Sequence, residues 1–284
     1  MSYNYICNLI VPGFPKCGTS SLHEYLDMHP SIAMSKSKEP HYFSRDSQWE
    51  KGAGYHNSLF QQEYKTLYYG ESSTTYCITE KAIERIAKSL TRPKLIFILR
   101  NPIDRTLSHY RWLCALGLER RPFERAILES GVNYDPNIDI SGNYMGYIKF
   151  SQYSTYVPKW ISEFGKENIL FLSTEELKHN PEAVLVKCFN FLQVEEIKIA
   201  SIINSNVTSE INSIVRYSWV PKLRQLTPNL VLSRLKNDKY IRKFFRRLVT
   251  KKGITPVISA NDIDKITKLL EKDLTFYQTT CLKN

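Results

Sequence analysis

The run Lys94-Leu-Ile-Phe-Ile-Leu99 constrains the fold more than any other stretch of the chain. Five consecutive apolar residues set between Lys94 and Arg100 suit a strand covered on both faces, and such strands belong to parallel sheets with helices on either side. Pro102 stands where proline opens a helix, and that helix is expected to run to about residue 117. The alternation recurs along the chain. A compact apolar strand over 5–11 leads through a Gly/Pro loop into a helix over 19–28, which ends before Pro30. Short strands are expected at 32–34 and 68–70. A helix over 80–90 places Ile83, Ile86, Ala87 and Leu90 on one face. A helix at 151–164, a strand at 169–172 and a helix at 181–192 follow, the last marked by Asn180-Pro181. Strands alternating with helices build βαβ units, so the expected fold class is α/β with a central parallel sheet flanked by helices. Beyond residue 200 the pattern loosens around Pro221, Pro228 and Pro256. An irregular, mainly helical portion of the same single domain is expected there, rather than a second domain.

Composition narrows the partners. The net charge is +11 over 284 residues, and residues 234–252 hold nine Lys/Arg against one Asp, leaving +3 for the other 265. The basic character is therefore one patch, read as a solvated helix face with Tyr240, Phe244, Phe245 and Leu248 turned inward. A lid over a binding pocket and a nucleic-acid or membrane surface are the alternatives. The six cysteines (Cys7, Cys17, Cys77, Cys114, Cys188 and Cys281) are scattered and contain no CxxC pair. That pattern fits reduced thiols better than disulfides or zinc, and the expected compartment is the cytoplasm. No apolar run approaches the roughly 18 residues of a membrane span.

The chemistry begins at Val11-Pro-Gly-Phe-Pro-Lys-Cys-Gly-Thr-Ser-Ser-Leu22. Here a buried strand meets a helix N-terminus, whose first N–H groups lack intrahelical partners and favour an anion. Gly13 and Gly18 let the backbone approach a ligand, Lys16 adds a full charge, and Thr19, Ser20 and Ser21 offer hydroxyls. A plain strand–helix turn would use the same residues. Lys16 precedes Gly18, whereas a Walker A lysine directly follows the second glycine, so an ordinary ATPase or kinase is disfavoured. Arg100 directly follows the buried strand and should stand at the carboxyl edge of the sheet, able to hold a phosphate bidentately.

Three segments resemble the sulfotransferases that use 3′-phosphoadenosine 5′-phosphosulfate (PAPS). Pro15-Lys-Cys-Gly-Thr-Ser-Ser-Leu22 is similar to their 5′-phosphosulfate loop. Lys38-Glu-Pro-His-Tyr-Phe43 and Leu99-Arg-Asn-Pro-Ile-Asp-Arg-Thr-Leu-Ser-His-Tyr110 are similar to segments of the heparan-sulfate-type branch. The resemblance covers about residues 5–195 and implies a P-loop-kinase-like sulfotransferase fold. It implies PAPS as co-substrate and PAP (3′-phosphoadenosine 5′-phosphate) as product, with donor contacts from Pro15, Lys16, Cys17, Gly18, Thr19, Ser20 and Ser21. Lys16 would be the catalytic lysine, and Arg100 and Ser108 the ligands of the 3′-phosphate. Glu39 aligns with the general base. In an extended segment His41 would share its face, positioning the acceptor or serving as base itself.

Two departures matter. In Gly70-Glu-Ser-Ser-Thr-Thr-Tyr76 the lysine that often assists catalysis in glycosaminoglycan enzymes is Ser72, so either Lys16 works alone or another cation substitutes. No clear Lys-Gly-Arg phosphate loop occurs late in the chain, and Arg216 is the candidate for that part. Cys17 lies where a helix N-terminus and Lys16 could lower a thiol pKa, or it simply fits the turn. Tyr42, Phe43, Trp49, Tyr55 and Tyr76 could line an acceptor pocket or form core. The expected activity is sulfuryl transfer to a hydroxyl or amine of a small molecule such as a secondary metabolite, without metal and without nucleic acid. The rivals are a carbohydrate sulfotransferase, a nucleotide-dependent kinase and a nucleic-acid-binding module.

Overall fold

A computed structural model describes residues 5–61, 63–128, 146–198, 213–215, 250–252 and 257–282. Five strands form one wholly parallel sheet: β1 (Leu9–Val11), β2 (Ile32–Met34), β3 (Tyr68–Ser72), β4 (Lys94–Leu99) and β5 (Ile169–Ser173). Their order is β2-β3-β1-β4-β5. Leu95 to Leu99 are fully buried, as the uninterrupted apolar run requires. The order reverses direction between β1 and β4, and a crevice at the carboxyl ends of two such strands is where open α/β sheets bind ligands.

The ladder takes only Leu9–Val11 of the strand expected over 5–11. The helix expected over 151–164 divides into a tight turn at Lys149–Ser151 and a helix at Tyr153–Phe164. The helices Thr19–Asp27, Glu80–Ser89, Pro102–Ala115 and Pro181–Leu192 fall where the periodicity places them, within two residues. Asn101 caps the Pro102–Ala115 helix, its Oδ1 accepting the Ile103 N–H at 3.0 Å, with Pro102 at the first turn.

Past residue 200, Ser213–Val215 pairs antiparallel with Thr250–Lys252, and two helices, Ala260–Leu269 and Glu271–Cys281, close the chain. The tail of the basic stretch is thus strand at 250–252, not helix. Arg216 and residues 216–249 lie outside the described residues. No described helix is long and apolar enough to cross a membrane.

Candidate active site

The loop after β1 is held from below. Phe14 N–H donates to Ile98 O at 3.1 Å and Ile98 N–H to Gly13 O at 3.2 Å, which ties its start to β4. A Cβ on Gly13 would lie 2.8 Å from that of Cys77, so only glycine fits that approach. Three successive carbonyls are then bonded by side chains from other elements. Arg105 Nη1 donates to Pro15 O at 3.5 Å, Arg100 Nη1 to Lys16 O at 3.4 Å, and Thr174 Oγ1 to Cys17 O at 2.5 Å. Gly18, at φ 96°, is the N-cap of the Thr19–Asp27 helix, and no side chain caps the first turn. That left-handed φ is what requires glycine there. With the carbonyls anchored and no side-chain cap bond at Gly18, the first N–H groups of the Thr19–Asp27 helix are of the kind that favours an anion.

Lys16 stands over this loop at φ 69°, its Nζ 4.7 Å from the centre of the Trp112 ring. Burial, then the nearby Arg100 and Arg105 guanidinium groups, push its ammonium down to about 8. Arg105 is completely buried. It also donates through Nε to Ser151 Oγ at 2.5 Å and through Nη2 to Tyr147 O, and no carboxylate pairs with it among the described residues. Its charge is a permanent part of the site's field. His109, also buried, accepts from Arg105 Nη1 at 3.3 Å, and burial with the adjacent Arg105 and Lys16 holds it well below the ordinary histidine range.

Arg100 stands at the carboxyl end of β4, as expected, with its Nε 4.0 Å from Glu175 Oε1. Arg100 Nε and Ser108 Oγ are both buried and lack a hydrogen-bond partner among the described residues. Ser108 is only 6% exposed, which disposes of a surface role. Sequence reasoning missed Arg105, His109, Trp112 and Thr174. A signal for the first three existed: with Ser108 they fall at i, i+3, i+4 and i+7, one face of the Pro102–Ala115 helix.

Glu39 and His41 come together by a different route from the expected extended segment. Both adopt left-handed backbone, φ 59° and 54°, and the turn still brings His41 Nε2 to 3.6 Å from Glu39 Oε2. The turn is imposed from β3 and the residues after it. Glu39 N–H donates to Ser72 O at 2.9 Å, His41 N–H to Ser73 Oγ at 3.0 Å and Phe43 N–H to Tyr76 Oη at 3.0 Å. Ser73 and Tyr76 in turn donate to the buried Glu71 carboxylate at 3.3 and 3.0 Å. Glu71 thereby clamps the loop that carries Glu39, which gives the 70–76 stretch its function without a lysine at Ser72. Thr74 completes the setting, its hydroxyl 2.9 Å and its N–H 3.3 Å from Glu39 Oε2. His41 Nδ1 is paired with Thr75 Oγ1 at 2.8 Å, itself 2.8 Å from Ser44 Oγ. Burial works to raise the Glu39 carboxyl, but Lys38, His41 and Thr74 together outweigh it and hold it below the usual carboxylate range. The carboxyl is therefore ionised at neutral pH.

Other expectations resolve differently. Cys17 is buried, and burial pushes its thiol up to about 11 despite the neighbouring Arg105, so it fits the turn and is not activated. Tyr42, Phe43 and Tyr76 are fully buried, and Tyr42 and Phe43 pack on His56, so they are core and not pocket wall. Cys7, His56 and Glu71 place one ligand atom each within 4.8 Å of one another, a cluster the sequence spacing does not reveal. His56 Nε2 lies 3.2 Å from Glu71 Oε1, so the group forms the buried root of the Glu71 clamp.

Comparison with known proteins agrees with this geometry. The profile of the sulfotransferase domain family matches residues 8–275, and the chain belongs to that family. Heparan sulfate glucosamine 3-O-sulfotransferase 3B1 of Mus musculus is 28% identical over 188 residues, 66% of this chain and 46% of that protein. Heparan sulfate glucosamine 3-O-sulfotransferase 5 of the same organism is 30% identical, over 63% of this chain and 52% of its own length. The chain thus spans about half the length of these relatives. Among solved structures, a sulfotransferase from Alicyclobacillus acidocaldarius superposes with a TM-score of 0.61 at 24% identity, covering 72% of this chain and 88% of that one. A mouse sulfotransferase complexed with PAP gives 0.52 at 16% identity, covering 97% and 90%. Both share the fold, the parallel sheet with flanking helices of P-loop-kinase type.

Proposed function

We propose that this chain transfers a sulfuryl group from PAPS to a hydroxyl or amine, releasing PAP. One observation carries the reading: Arg100 Nε, at the end of β4, and Ser108 Oγ, on the helix that follows, are buried without hydrogen-bond partners among the described residues. Buried polar atoms are normally paired, and the oxygens of a second phosphate would pair these. PAPS supplies the activated sulfuryl group when bound. The loop amides and Lys16 neutralise charge on the leaving 5′-phosphate, while Arg105 keeps the loop in shape beneath it. Glu39 takes the proton of the attacking hydroxyl, with Thr74 and the Glu71 clamp fixing its direction.

Calorimetric titration tests the donor. PAP should bind without added magnesium and at least about tenfold more tightly than adenosine 5′-phosphate, since a charged phosphate contact contributes roughly 1.5–3 kcal/mol. An absence of PAP binding overturns the reading. Glu39→Gln should leave PAP affinity within a factor of about three and lower turnover about 10²- to 10⁴-fold, the usual range for general base removal. Near-normal turnover of that variant would assign the base elsewhere.

For the acceptor we favour a small molecule such as a secondary metabolite, because Ser72 stands where glycosaminoglycan enzymes often carry a lysine. A carbohydrate hydroxyl is the second reading, favoured by the heparan sulfate enzymes among the relatives. Transfer of labelled sulfate from PAPS to desulfated heparan oligosaccharides, against a panel of small alcohols and amines, separates the two. The six free cysteines, four of them buried, support a reducing compartment, the cytoplasm.

A further inference from the structure

One ammonium group at this site has no part in the scheme above. Lys38 stands beside the base and not in the anion loop, its Nζ 2.9 Å from Glu39 Oε1, with the two side chains 25% and 22% exposed. Its field reaches Lys16 across the loop and His23 on the Thr19–Asp27 helix. The contacts of Glu39 divide its carboxylate. Oε2 takes the Thr74 N–H and hydroxyl and faces His41, whereas Oε1 meets Lys38 and, at 3.1 Å, the Thr74 hydroxyl.

The titratable groups around Glu39 are Lys38, His41, His23 and Cys77. Burial and then Lys38 push His23 down to about 4, so it is neutral, and its Nδ1 is paired with Ser72 Oγ at 2.9 Å. Burial pushes the Cys77 thiol far up, leaving it protonated. His41, at 3.6 Å, is beyond hydrogen-bond reach of the carboxylate. Ser72 and His23 therefore form a neutral pair where a cation is missing, and Lys38 brings an ammonium from the neighbouring loop. Its charge is felt at Lys16 as well, so the loop that carries Glu39 adds to the positive field around Lys16, a field that favours negative charge.

We propose that Lys38 is a positioning residue for sulfuryl transfer, fixing Glu39 through Oε1 and adding on the acceptor side the positive charge that Ser72 does not supply. This rests on the sulfotransferase reading with Glu39 as base. In the step it serves, the acceptor oxygen bonds to sulfur and its proton passes to Glu39. The bond from sulfur to the 5′-phosphate oxygen breaks, and that oxygen keeps the electron pair beside Lys16. Lys38 itself exchanges no proton.

The test compares wild type, Lys38→Met and Lys38→Arg. Three measurements are made: PAP affinity by calorimetry, the carboxyl ¹³C titration of Glu39 (identified by its loss in Glu39→Gln), and sulfate release from PAPS with water as acceptor. Lys38→Met should bind PAP within about threefold of wild type while the Glu39 midpoint rises by about one pH unit, the lower end of the effect of an opposite charge at this distance. Sulfate release should fall about tenfold or more, and Lys38→Arg should restore both properties. A Glu39 midpoint unmoved in Lys38→Met overturns the proposal, as does failure of arginine to restore it. Parallel loss of PAP affinity and turnover would assign Lys38 to donor binding and also overturns it. A wild type that does not bind PAP sinks the underlying reading instead, and that measurement involves no Lys38 variant.

Discussion

Replacing Lys16 by methionine should lower sulfuryl transfer by about two to three orders of magnitude, the cost found when one preorganised charge-stabilising group is removed from a transition state. The side chain is of similar length and apolar, so it can keep its place against Trp112 and the loop should stay folded. The same residue predicts a pH dependence. Burial and the adjacent Arg100 and Arg105 hold the free Lys16 ammonium near 8, and a bound phosphate would raise that value because it favours the charged form. Binding then takes up a proton above pH 8, and affinity falls as pH rises. Lys16 is mostly protonated at pH 7 and mostly neutral at pH 9, so PAP should bind about tenfold more weakly at pH 9. In Lys16→Met that slope should vanish. Calorimetry in buffers of differing ionisation enthalpy reads the proton uptake directly, and a wild-type affinity flat between pH 7 and 9 would contradict the assignment.

Arg100→Ala should cost PAP affinity by a factor of about 10 to 10², equivalent to one charge-assisted contact or more. It should leave the affinity for adenosine 5′-phosphate, which has no 3′-phosphate, nearly unchanged. The contrast is the informative part. Arg100 also donates to the Lys16 carbonyl at 3.4 Å, so a purely structural loss would weaken both nucleotides together. Ser108→Ala should act in the same direction with a smaller effect, because a neutral hydroxyl contributes less than a guanidinium.

The elements most legible in the sequence were those decided by local pattern. The β4 run between prolines, the glycine at the head of the Thr19–Asp27 helix and the placement of Arg100 after a buried strand all follow from burial and periodicity. The Glu39–His41 turn was not legible as a shape. A left-handed backbone is uncommon outside glycine, and what holds Glu39 and His41 there is a set of long-range bonds from Ser73, Tyr76 and Glu71, over thirty residues away. Arg105 was hidden for a related reason. Helical spacing puts it on one face with Ser108, His109 and Trp112, but its burial comes from packing against Tyr147, Ser151 and the Pro15 carbonyl. Cys17 went the other way, since a local argument for activation lost to complete burial, which disfavours the thiolate. Arg216 belongs to a segment where the periodicity gives no element to hang it on.

The cluster of Lys16, Arg100 and Arg105 has a consequence for the life of the protein outside catalysis. Three like charges gathered around one loop repel one another, and Glu175 at 4.0 Å from Arg100 offsets only part of that. The folded chain is therefore electrostatically frustrated at this loop. An anion that settles there relieves the repulsion in the native state and does nothing for the unfolded one, so it stabilises the fold by mass action. If PAPS and PAP are the proposed donor and product, abundance of the intact protein then follows their supply: a cell rich in either would keep more of the chain folded, and one starved of sulfate would hold less.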